Sequence, residues 1–132
     1  MLRLGLALGL FLAADVASAQ HGSPLAVAYF DWGKVEIRRD DRSTLDKVAE
    51  DWKARPASGL LLSGHTDRSG DPVSNRATGM RRARAVAAEL ERRGIPRSAM
   101  RLVSFGEEAP LVVTEDGVRE VQNRRVVISF EE

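Results

Sequence analysis

Apolar positions along the chain follow two rhythms, short unbroken runs and a recurrence of about 3.6 residues. The first run, at 4–14, follows the basic residue Arg3 and is closed by Asp15. LAVAYF at 25–30 is a shorter run bounded by Pro24 and Asp31, the pattern of a buried strand. Leu45, Val48, Ala49 and Trp52 then recur at i, i+3, i+4 and i+7, one stripe of an amphipathic helix. Ser43 reads as its N-cap with Asp46 as a capping-box partner, and Pro56 and Gly59 stop it. The apolar run at 60–63 predicts a second strand. A longer helical pattern covers 74–93, with Ala83, Val86, Ala87 and Leu90 facing inward and Gly94 and Pro96 ending it. RLVSF at 101–105 and RVVISF at 125–130 predict two more strands. The polar, acidic stretch between them reads as a loop with a short helical or strand-like piece.

The element order is therefore β-α-β-α-β-β. Alternating units imply parallel crossovers, and the final pair of strands is antiparallel or split by the long loop. The economical architecture is an α+β fold, a mixed β-sheet with two main helices packed on one face. Ahead of it, the apolar stretch is shorter than the roughly 20 residues a membrane-spanning helix needs. Ala17-Ser18-Ala19 supplies an A-x-A cleavage pattern. Residues 1–19 thus read as a secretory signal peptide cut before Gln20, with a retained N-terminal anchor as the alternative. Residues 20–24 form a short polar lead, and 25–132 a single domain.

Composition changes this picture in two respects. With 20 basic and 19 acidic residues the chain is nearly neutral, so bulk charge does not nominate nucleic acid as a partner. Cysteine is absent, which excludes disulfides and thiolate chemistry, and a lipid-anchored mature form is not expected. An exported domain of this kind fits the periplasm.

Candidate chemistry gathers around GHTDRSG at 64–70, where the second strand ends. Gly64 and Gly70 suit a sharp strand exit, and Asp67 on local grounds is a turn residue. Its company on the next helix widens that reading. Asn75, Gly79 and Arg82 are spaced i, i+4 and i+7 and share one line of the helix. A glycine inside a helix costs about 1 kcal/mol relative to alanine. One reason to keep it is a groove between Asn75 and Arg82. A carboxylate and a guanidinium across a groove suit a ligand carrying both an ammonium and a carboxylate. The plainer alternative is a salt bridge between Asp67 and Arg82 themselves.

GHTD-x-x-G, then Asn75, Arg82-Ala83, FGEEAP at 105–110 and NRRV at 123–126, together with YFDWGKVEI after the first strand, resemble the OmpA-like C-terminal domain family. The resemblance runs over about 27–130. It implies noncovalent binding of peptidoglycan in the bacterial periplasm, associated with the cell wall or outer membrane, without cofactor, metal or catalysis. It further implies that Asp67 and Arg82 grip the diaminopimelate of the stem peptide. Asn75 and Arg124 are implied to line the same pocket, and the turn Asp31-Trp32-Gly33 to offer backbone groups to the ligand. Asp31 could instead serve only as a turn former. Cell-envelope membrane proteins are further partners that the resemblance allows. Where the family carries Leu-Ser, this chain has Thr78-Gly79. That departure favours an alternative function, an interaction or scaffold domain of the envelope that has lost the ligand.

His65 beside Asp67 suggests acid–base chemistry. No serine elbow and no third metal ligand accompany it, so a structural histidine hydrogen-bonded in the turn is the simpler reading. Successive residues of a strand alternate faces, which places Arg124 in the pocket and leaves Arg125 facing solvent. The series Arg81, Arg82, Arg84, Arg92 and Arg93 reads as the polar face of the second helix rather than a nucleic-acid surface.

Overall fold

The computed structural model describes residues 23–131. The signal-peptide reading, its cut at Ala19 and most of the short polar lead fall outside these residues. Within them, the elements are β1 (Ala26–Tyr29), α1 (Arg42–Ala54), β2 (Gly59–His65), α2 (Pro72–Arg92), β3 (Met100–Gly106) and β4 (Arg125–Glu131). The strands form one mixed sheet in the order β1-β4-β2-β3. This is the expected α+β arrangement. β2 and β3 are parallel neighbours joined by α2 as a crossover, while β4 pairs antiparallel with both β2 and β1. The last two strands in sequence are antiparallel but not adjacent, because β2 lies between them. Likewise β4 separates β1 from β2. Leu25 extends the β1 edge through its N–H to the Ile128 carbonyl at 2.7 Å. No helix among the described residues is long and apolar enough to cross a membrane.

One sheet face and both helices enclose the core. Leu60 and Leu62 of β2, Val126 and Ile128 of β4, and Phe30 just after β1 are fully buried against Leu45 and Val48 of α1 and Val86 and Leu90 of α2. Both inward stripes read from the sequence are therefore present, with Trp52 packed at the core margin. α2 ends as expected: Gly94 takes φ +97°, and its N–H and that of Ile95 close on the Glu91 and Leu90 carbonyls.

Helix starts were less legible. α1 begins at Arg42 after a 3-10 turn at Arg39–Asp41, so Ser43 lies inside the first turn and is not the N-cap. Asp41 occupies that place without capping, because its carboxylate accepts the Tyr29 N–H of β1 at 3.0 Å. α2 begins at Pro72 rather than at 74, and Asp71 caps it by accepting from the Ser74 backbone and hydroxyl at 3.0 and 2.9 Å.

Gly79 has a different purpose from the groove inferred for it. It meets Gly64 of β2 where helix and sheet touch through their backbones. A Cβ on Gly64 would stand 1.8 Å from the Gly79 carbonyl oxygen, and one on Gly79 2.3 Å from Ser104 Oγ and 3.0 Å from the Gly64 carbonyl oxygen. The absent side chains seat α2 close to the sheet, which brings the strand end and the helix side chains into one site.

Overpacking at these positions should therefore be unequal. Gly64→Ala meets only backbone and should destabilise by more than about 3 kcal/mol or prevent folding. Gly79→Ala meets a hydroxyl and only more loosely the Gly64 carbonyl, and gains about 1 kcal/mol of helix propensity, so its net loss should be about 1–2 kcal/mol. Urea unfolding of both variants measures the order; equal losses would reject this contact.

Candidate ligand-binding cleft

At the end of the sheet where β2 gives way to α2, a cleft of about 170 Å³ opens. Asp67, Asn75, Arg82 and Arg124 all line it, together with Gly33 and Trp32. The structure thus brings together five of the six residues singled out from the sequence. Asp31 lies outside the lining; its side chain is exposed and faces Arg38 at 3.5 Å, and its carbonyl accepts the Lys34 N–H in the turn. Gly33 takes φ +69°, the left-handed conformation that this turn requires.

Asp67 is 3% exposed, yet its carboxylate is fully engaged. Oδ1 accepts from the Ser69 N–H at 3.1 Å and the Ser69 hydroxyl at 2.5 Å. Oδ2 accepts from the Glu120 N–H at 3.1 Å and from Arg124 Nη1 at 2.9 Å. Burial alone would raise this carboxyl, but the bonds from Ser69, Arg124 and Glu120 outweigh it and hold it below the ordinary carboxylate value. Asp67 is therefore paired with Arg124, not with Arg82. Arg124 is itself fixed through Nε on the Phe30 carbonyl at 2.9 Å.

Arg82 is 2% exposed and makes no ion pair among the described residues. Nε donates to the Lys34 carbonyl at 3.0 Å and Nη1 to the His65 carbonyl at 3.1 Å, with the guanidinium 5.3 Å from the Phe30 ring centroid. Burial lowers its pKa to about 10, with Asp67 drawing it up and Arg124 pressing it down. It remains a cation at neutral pH, held by carbonyl dipoles. Asn75 supports the site from behind, donating to the Asp67 carbonyl at 3.3 Å and to Glu107 Oε1 at 3.0 Å. Thr78, not Gly79, supplies the helix surface in the cleft.

Two expectations outside the cleft are corrected. His65 is not hydrogen-bonded in the turn. Its ring lies on the sheet face away from the helices, stacked on Phe105 at 5.3 Å, and its Nδ1 is buried without a partner. That placement separates it from Asp67. Arg125 does not face solvent but is buried, because the long loop folds back over it and presents the Ala109 and Asn123 carbonyls at 3.2 and 3.4 Å. Asn123 holds the same loop by accepting from the N–H groups of Leu111 and Val112 and donating to the Val112 carbonyl.

Ser69, the Glu120 N–H and the Trp32 side chain escaped the sequence reading. Asp67-x-Ser69 is a local pattern from which the first could have been found. The Glu120 contact spans 53 residues and leaves no local signal.

The OmpA family model matches residues 29–124. Over 100 residues the chain is 41% identical to the peptidoglycan-associated lipoprotein of Rhizobium meliloti (strain 1021), covering 75% of this chain and 56% of that protein. It is 37% identical to the protein of the same name from Haemophilus influenzae, covering 77% of this chain and 67% of that one. The chain thus spans little more than half of the Rhizobium relative. Among solved structures, the peptidoglycan-associated lipoprotein from Burkholderia pseudomallei superposes with a TM-score of 0.74 at 30% identity, covering 80% of this chain and 89% of that one. The C-terminal domain of Helicobacter pylori MotB shares the fold, with a TM-score of 0.70 at 19% identity and coverage of 83% and 84%.

The buried imidazole gives the fold an acid limit distinct from that of the cleft. Burial, with Arg125 adding to it, lowers the His65 pKa from 6.5 to about 4. The unfolded chain therefore takes up this proton first. The contribution of this imidazole should be intact above pH 6.5, fall as pH drops toward about 4 and level off below, by on the order of 3 kcal/mol. The carboxylate bonds of Asp67 are lost only below its ordinary value of 3.8. In urea unfolding between pH 7 and 4.5, His65→Phe should flatten the slope of the wild type. An unchanged slope would assign the acid loss elsewhere.

Proposed function

The chain belongs to the OmpA family, and on that premise we propose that it binds peptidoglycan noncovalently at the bacterial wall, holding the diaminopimelate residue of the stem peptide. One observation carries the reading: a guanidinium 2% exposed lines a cleft with no carboxylate among its hydrogen-bond partners in the described residues. Removing a charge from water costs several kcal/mol unless a counter-charge meets it. A ligand carboxylate against Arg82 supplies that charge in a low-dielectric setting, where charge-assisted bonds are strong.

Asp67 then receives the ligand ammonium. A carboxylate offers about four acceptor positions, and all are taken in the free protein. The ammonium must exchange with a donor already present. Arg124 is the donor placed to yield, because its Nε anchor on the Phe30 carbonyl keeps it in the cleft when Nη1 leaves Oδ2. A free amino-acid centre, with an ammonium and a carboxylate on one carbon, matches Asp67 and Arg82 together. The cleft is small enough for such a headgroup and not for a glycan chain. No step of this binding breaks a covalent bond, so the reading is of a wall-binding module of the periplasm and not of an enzyme. Envelope membrane proteins remain proposed partners.

One observation favours a second reading, a scaffold domain that keeps the fold without the ligand. The Asp67 carboxylate is satisfied within the protein, so the cleft is self-consistent when empty.

Sedimentation of the purified protein with peptidoglycan sacculi decides between them. Wild type should co-sediment and be released by free diaminopimelate. Asp67→Ala and Arg82→Ala should each weaken binding by about tenfold or more, since each loses a charged hydrogen-bond partner. Folded wild type that stays in the supernatant would transfer the function to the scaffold reading.

A further inference from the structure

Three loops meet at the mouth of the cleft, and one side chain touches all of them. Trp32 belongs to the turn after β1. Its Nε1–H donates to Ser69 Oγ, in the loop after β2, at 3.1 Å. Arg119, in the loop before β4, lays its guanidinium 3.5 Å from the indole centroid. The indole is 49% exposed and lines the cleft. A large aromatic held this far into solvent recovers little by burial, so its contacts must account for its position.

The donor–acceptor inventory gives those contacts a direction. An indole N–H can only donate, and a serine hydroxyl owns one proton. Ser69 Oγ already accepts from Trp32, and its proton is directed onto Asp67 Oδ1, 2.5 Å away. Bonds arranged in such a chain polarise and strengthen one another. We infer that Trp32 is a positioning residue of the binding site: through Ser69 it orients the Asp67 carboxylate for a ligand cation, and it locks the three loops that form the cleft mouth. Trp32 does this through a neutral donor, so it adds no charge that would repel the incoming ammonium. The charged groups facing Asp67 are Arg124, just before β4, and Arg82 from α2. Arg119 lies beyond the indole. The inference rests on the cleft being the ligand site proposed above.

Two variants of the full chain separate the parts of the relay. Trp32→Phe keeps an aromatic ring for Arg119 and removes the donor, whereas Ser69→Ala removes the hydroxyl between Trp32 and Asp67. Carbon-detected NMR of the Asp67 carboxyl in the unliganded protein gives its titration midpoint, and calorimetry with meso-diaminopimelate gives affinity at pH 7. The midpoint should rise from wild type to Trp32→Phe and again to Ser69→Ala. Affinity should fall about threefold in the first and about tenfold in the second. Ser69→Thr, which retains the hydroxyl, should restore both. Trp32→Phe with the midpoint and affinity of wild type would overturn the inference. Should that variant fail to fold, the wild-type Trp32 indole N–H resonance serves instead. It should move with the Asp67 midpoint, and a resonance indifferent to that titration would equally overturn it. Wild type that binds no diaminopimelate but keeps the ordered midpoints would remove the proposed function and leave the positioning relay standing.

Discussion

A single buried carboxylate organises this molecule's working end. Asp67 gathers donors from its own loop, from the Glu120 backbone and from Arg124 just before β4, and Arg124 reaches on to the Phe30 carbonyl beyond β1. Segments far apart in sequence are thereby held around one negative charge. Each bond is ordinary in strength, but the charge is largely out of bulk water, so losing a donor leaves an acceptor that only the cleft can serve. This explains why the loops at the cleft are ordered by polar contacts while the rest of the fold depends on apolar burial. Arg68 extends the same pattern outward, pairing with Glu107 and Asp116 on the long loop.

Arg82 is the counterpart, a buried cation supported by carbonyls rather than by an anion. The two charges stand across the cleft without meeting. Arg124 prevents collapse of the pair by occupying Asp67 itself. Among the described residues the free cleft is thus neutralised on its acidic side and left without an ion pair on its basic side.

The sheet and helices were legible because burial repeats at short range. Leu60 and Leu62, or Ala83, Val86, Ala87 and Leu90, announce their faces within a few residues, and all are buried as read. The site was legible in its residue types and helix spacing, since Asn75 and Arg82 must share a face. Its pairing was not. Whether Asp67 binds Arg82 or Arg124 depends on the order of strands, which puts β4 beside β2 although 59 residues separate His65 from Arg124 in numbering. Gly79 misled for a related reason: the helix spacing fixed its line, but only the packed sheet shows Gly64 directly beneath it. Ser43 and Arg125 failed where a distant backbone group, the Tyr29 N–H in one case and the Ala109 carbonyl in the other, determined the local outcome.

The edge position of β1 has a mechanical consequence. Its first paired residue, Leu25, meets Ile128 midway along β4, and Arg124 of the cleft lies four residues back, roughly 14 Å away along the strand. A pull on the chain upstream of Leu25, resisted by a ligand in the cleft, runs along the strand axis. The hydrogen bonds between β1 and β4 then bear the load together, in shear, instead of opening one after another like a zipper. The tension passes through β4 to Arg124 and from there to the carboxylate at the centre of the site. Leu25 and the cleft are in line, with the sheet as the tie between them.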